Sequence, residues 1–95
     1  MIRLRSLAVA SLIFGVLAGA ASAECYADYK AKRDDPLRLH YGVIRLSDSE
    51  CADPSSSVAR RIASDGWELL TVMQVFDRAA ADRRRSDAGN YFLRY

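Results

Sequence analysis

Residues 53–77, DPSSSVARRIASDGWELLTVMQVFD, decide the fold. Asp53 offers a carboxylate to the orphan amides of a helix start, and Pro54 has its φ pre-set for a first turn. Val58 and Ile62 lie four apart with Ala59 and Ala63 beside them, a narrow apolar stripe from which Arg60 and Arg61 project away. Gly66 supplies a left-handed stop. The spacing predicts a helix over Pro54–Asp65. From Trp67 to Asp77 apolar residues then occupy both parities, which predicts a central strand covered on both faces, with the helix on one of them.

Upstream, Cys25, Ala27, Tyr29 and Ala31 alternate with Tyr26, Asp28, Lys30 and Lys32, the period of a half-buried strand over Cys25–Arg33. Asp34-Asp35-Pro36 breaks it with turn chemistry. Leu37, Leu39, Tyr41 and Val43 resume the alternation against Arg38, His40 and Gly42. They predict a second strand, Leu37–Leu46, antiparallel to the first, with Gly42 marking a bulge or a close approach. Ser47–Pro54 reads as a polar loop carrying Cys51. Downstream, Tyr91, Leu93 and Tyr95 oppose Phe92 and Arg94 in a closing strand, Asn90–Tyr95. The intervening Arg78–Gly89 has helix formers but no apolar stripe, so it is either a short solvated helix or an excursion in a long hairpin. Strand, strand, helix, strand, strand predicts an α+β fold: a small antiparallel sheet of about four strands with one helix on one face.

Met1–Ala23 has its own logic. Arg3 and Arg5 precede an apolar run, Leu7–Leu17, and Ala21-Ser22-Ala23 presents small residues to a signal peptidase. An export signal cut before Glu24 is expected rather than a retained anchor, because Ser11, Gly15, Gly19 and Ser22 weaken a membrane span. One small domain, residues 24–95, then remains for the periplasm or the exterior. Without Arg3 and Arg5 it carries 12 Lys and Arg against 12 Asp and Glu. Such balance lacks the basic footprint of a nucleic-acid binder. In an oxidising compartment two cysteines imply one structural disulfide, Cys25–Cys51. A redox or metal pair is disfavoured by the absence of C-x-x-C spacing and by the single histidine.

The block Gly66-Trp67-Glu68-Leu69-Leu70-Thr71-Val72, after a short helix and before Tyr91-Phe92-Leu93-Arg94, resembles the domain of unknown function 4177 family. Tyr26–Lys30 stands where that family has its opening strand. The resemblance implies a strand, a helix, a Gly-Trp-Glu-Leu strand and a hairpin back to an aromatic-basic strand. It implies no activity, so no catalytic residue is carried over. The export signal, the cysteine pair and a longer insert at 77–89 depart from the family pattern. Independently of it, Gly66 lets the chain reverse so that Trp67 drops back over the helix as a structural plug.

Catalytic chemistry is sparse. His40 alone titrates near neutrality, and with no Ser, Cys or carboxylate beside it in sequence it reads as a surface or structural residue. Asp34-Asp35 lacks further oxygen ligands for a cation, and zinc spacings, phosphate-cradling loops and nucleophile elbows are missing. No catalytic residue, metal or cofactor is expected. The most defensible contact site is Arg78 with Arg83-Arg84-Arg85, offset by Asp77, Asp82 and Asp87, together with Tyr26, Tyr91 and Tyr95. Its expected partner is a protein surface, with anionic lipid headgroups as the weaker alternative. The leading expectation is an exported, non-enzymatic interaction or accessory domain. Its rival is a small ligand-binding or hydrolytic domain using His40 and distant carboxylates.

Overall fold

In a computed structural model, which describes residues 24–95, the opening alternation becomes a hairpin. Strand β1 (Cys25–Arg33) and strand β2 (Arg38–Leu46) pair antiparallel in unbroken register from Cys25 opposite Leu46 to Arg33 opposite Arg38. The turn between them contains a cis Asp35–Pro36 peptide, with Asp35 in the left-handed region at φ 59°. Gly42 marks a close approach. It lies opposite Tyr29, and a Cβ there would sit 2.5 Å from the phenol ring.

Helix α1 (Asp48–Cys51) forms where a polar loop was expected. The reason is a capping box: the Glu50 amide donates to Ser47 Oγ and the Ser47 amide to Glu50 Oε1. It brings Cys51 to Cys25, and the two are joined as a disulfide with 6.1 Å between Cα atoms. Helix α2 (Pro54–Ala63) starts at Pro54 as its sequence dictates, although the Asp53 side chain makes no capping bond. Gly66 has φ 80°, and the Gly66 and Trp67 amides return to the Ala63 and Ile62 carbonyls.

Strand β3 (Glu68–Phe76) pairs antiparallel with β1, giving the order β2-β1-β3. The sheet therefore has three strands, not four, and β1, not the Trp67–Asp77 run, lies at its centre. Two bulges explain the misleading pattern of β3. The register skips Leu70 and Met73, and each skip reverses which parity faces α2. The expected closing strand is also absent. Gly89–Tyr91 is a 3-10 turn, after which Phe92 makes a single parallel bridge to Val43 and the Leu93 amide donates to the Val43 carbonyl at 2.8 Å.

Helices cover both faces of the sheet. On one, α2 buries Val58 and Ile62 against Ala27, Tyr29, Ala31, Ile44, Leu46 and Trp67. On the other, α3 (Arg78–Arg83) and α4 (Arg85–Ala88) bury Ala81 and Ala88 against Tyr26 and Val43. The single covering helix is thus corrected to helices on opposite faces. In β2 the inward parity is also reversed from expectation along the first core: His40 and Ile44 are buried there, while Leu37 and Leu39 are exposed. No helix among the described residues is long and apolar enough to cross a membrane. The expected export signal, 1–23, lies outside the described residues.

Candidate functional site

The only histidine is built into an aromatic box. Tyr29 lies across Gly42 and reaches His40 Nε2 with its hydroxyl at 3.0 Å. Tyr91 stacks on the imidazole at 3.8 Å, nearly parallel, and Trp67 meets it edge-on at 4.2 Å. Arg33 sits over the Trp67 ring at 4.2 Å. His40 Nδ1 is buried without a partner. Burial, and secondarily the Arg33 charge, lower the His40 pKa from 6.5 to about 4. Burial likewise raises the Tyr29 phenol well above its ordinary range. The ring is therefore neutral at pH 7, and a base that weak is poorly matched to proton abstraction. Among the described residues, none of the hydrogen bonds of His40 involves a carboxylate.

On the opposite face Asp28 organises a second centre, which the sequence did not signal. It is 3% exposed. Its carboxylate accepts from the Gln74 amide at 2.9 Å, from the Tyr41 hydroxyl at 2.9 Å and from Arg84 Nε at 3.3 Å. The Gln74 amide follows the Met73 bulge, so Asp28 satisfies a backbone donor beside the interrupted ladder. Burial, with the Asp28 hydrogen bond next, pushes the Tyr41 pKa up to about 12. Arg84 also donates to the Ala80 carbonyl and the Gln74 side-chain oxygen, and its guanidinium lies 4.1 Å over Phe76.

The arginine run therefore divides. Arg84 points inward and locks α3 to the sheet. Arg83 is exposed, and Arg85 pairs with Asp82 while lying 4.3 Å over Phe92. Arg78 is exposed on α3. Of the three tyrosines singled out by sequence, Tyr26 is buried, and Tyr91 and Tyr95 are half-buried around His40. Tyr95 also donates to Asp65, which holds that carboxyl below its usual range. Trp67 is buried, as a plug should be.

The free edge falls on β3, the run expected at the centre of the sheet. No backbone hydrogen bond among the described residues reaches the outer side of β3, whereas β2 is partly covered by Phe92 and Leu93. Along β3, Leu70 is 51% exposed, Met73 47% and Val75 48%. No family model, curated protein or solved structure matches the chain.

Proposed function

We propose that this is an exported, non-enzymatic interaction domain that docks a partner protein by strand addition along β3. The observation that carries the reading is the open edge itself. An unpaired strand offers a row of amides and carbonyls to an extended segment. Leu70 and Met73 have no opposite residue on β1, so their exposed side chains add apolar area for a partner without supporting the fold. The bulges also roughen the edge, so the chain favours a shaped partner over indiscriminate pairing of flat edges.

Export rests on the N-terminal pattern and on a disulfide that persists in an oxidising compartment. A periplasmic or secreted location follows from that reading. The arrangement around His40 lends little to a hydrolytic alternative, since its neighbours are aromatic.

The test places a photo-crosslinking residue at Met73 and, as a control, at Arg83, in cells exporting the protein at native level. A discrete adduct specific to Met73, abolished by Leu70→Lys, is expected. Repeated absence of any Met73 adduct, with the protein folded and exported, would overturn the proposal.

A further inference from the structure

At the end of the sheet where β1 begins and β2 ends, three elements converge on a cavity of about 380 Å³. Arg45 comes from β2, Arg61 from α2 and Arg78 from α3, with Tyr26, Leu93 and Tyr95 completing the wall. Among the described residues, no acidic side chain lines it. Tyr26 is 3% exposed, yet its hydroxyl makes no hydrogen bond to the described residues. Tyr26 lines the cavity wall, where its hydroxyl can donate to an acceptor.

The guanidiniums differ in how far they are already engaged. Arg61 donates to Glu50, to the Arg45 carbonyl and to the Tyr95 main-chain oxygen, so it frames the cavity. Among the described residues, the Arg45 guanidinium has only a long, exposed contact to Glu24 at 3.8 Å. Arg78 has no ion pair among the described residues. Leu93 holds a left-handed backbone at φ 54°, unusual for a branched side chain, where the tail turns into the same wall.

We infer that this cavity binds a phosphate dianion, either free or as a phosphomonoester, through Arg45, Arg78 and the Tyr26 hydroxyl. Donors approaching from separate elements suit a tetrahedral group with several oxygens better than a planar carboxylate, which one guanidinium satisfies face to face. The cavity has room for an organic substituent beyond the phosphate. The site is independent of the β3 edge and involves none of its residues.

The test titrates inorganic phosphate into the disulfide-bonded protein at pH 7, following arginine side-chain and backbone resonances, with acetate in parallel. Phosphate is expected to bind with Kd of about 1 mM and acetate at least about tenfold more weakly. Arg45→Gln and Arg78→Gln should each weaken phosphate about tenfold, and Tyr26→Phe about threefold, while Arg83→Gln leaves it unchanged. Both arginines are exposed, so these variants fold, and unchanged urea midpoints verify it. Phosphatidate-containing and phosphatidylcholine vesicles separate a headgroup from a soluble ligand. Sedimentation with phosphatidate alone that depends on Arg45 and Arg78 assigns the headgroup, whereas phosphate binding without sedimentation assigns a soluble phosphomonoester. Equal response to acetate and phosphate, or phosphate binding indifferent to both arginine substitutions, overturns the inference.

Discussion

Three consecutive arginines, Arg83-Arg84-Arg85, should respond very differently to truncation. Arg84→Ala removes the Nε contact to Asp28, the bonds to Ala80 and Gln74 and the stack over Phe76. It leaves a carboxylate 3% exposed with only the Tyr41 hydroxyl and the Gln74 amide. Breaking a fully buried pair costs about 3–5 kcal/mol, but Arg84 retains 26% of its side-chain exposure, so solvent reduces this to about 2. Losing the cation–π contact adds ~0.5–1 kcal/mol, for a total of roughly 2–3. Domains of this size are stable by about 4–10 kcal/mol, so the effect is a large fraction of the whole. Urea unfolding followed by the fluorescence of Trp67 measures it. Arg83→Ala should leave the midpoint in place. Asp28→Asn should cost less in the Arg84→Ala background than alone, because the amide no longer leaves a buried charge unpaired. Equal midpoints for Arg83→Ala and Arg84→Ala, or strict additivity in that cycle, would refute the inward placement of Arg84.

Three other perturbations test the opposite face and its staple. Because the folded His40 pKa is depressed to about 4 from 6.5, the unfolded chain takes up its proton first as pH falls. Stability is then complete above pH 6.5 and declines toward pH 4; urea midpoints at pH 7, 6 and 5 should fall for the wild type and stay flatter for His40→Phe. Gly42→Ala drives a methyl to 2.5 Å from the Tyr29 ring and should cost about 1–3 kcal/mol in urea, largely relieved by Tyr29→Val; a harmless Gly42→Ala would rule out the ring lying across Gly42. Replacing Cys25 and Cys51 by serine opens a loop of sequence separation 26 and should lower stability by about 3.5 kcal/mol on the chain-entropy account, read from denaturation with and without reductant.

Local signals in the sequence were reliable wherever one element controls its own geometry. The β1 alternation, the Asp34-Asp35-Pro36 turn, Pro54 and Gly66 each act within a few residues, and each forms its element. Strand β1 is not half-buried as expected, however, because Tyr26 and Asp28 on its other parity are buried under the second helical face. The alternation of β3 failed because Leu70 and Met73 are extra residues in the ladder. Apolar residues on both parities there record a strand that changes parity, which imitates a strand covered on both sides. Nor could the α3–α4 face be recognised as apolar. Ala80, Ala81 and Ala88 are too small to make a stripe, and the bulk they pack against comes from Tyr26, Phe76 and Phe92 on other segments.

The candidate sites illustrate the same division more sharply. Arg83 closes α3, Arg84 lies in the break between the helices at φ -97° and ψ 2°, and Arg85 opens α4, so the run of three does not present one charged face. One member had to turn toward the sheet, and the buried Asp28 on the central strand selects Arg84. That choice also withdraws charge from the surface where the run suggested a contact site, since Arg85 is paired with Asp82. The cationic cavity has the opposite origin. Arg45, Arg61 and Arg78 are separated by 16 and 17 positions and come together only because β2, α2 and α3 each bring one residue to the same cavity at one end of the sheet. A linear run is thus dispersed by the break between α3 and α4 while scattered residues are concentrated by topology, and charge density along the chain is a poor guide to charge density in space. This is why Arg78→Gln, and not Arg83→Gln, is the substitution expected to affect anion binding.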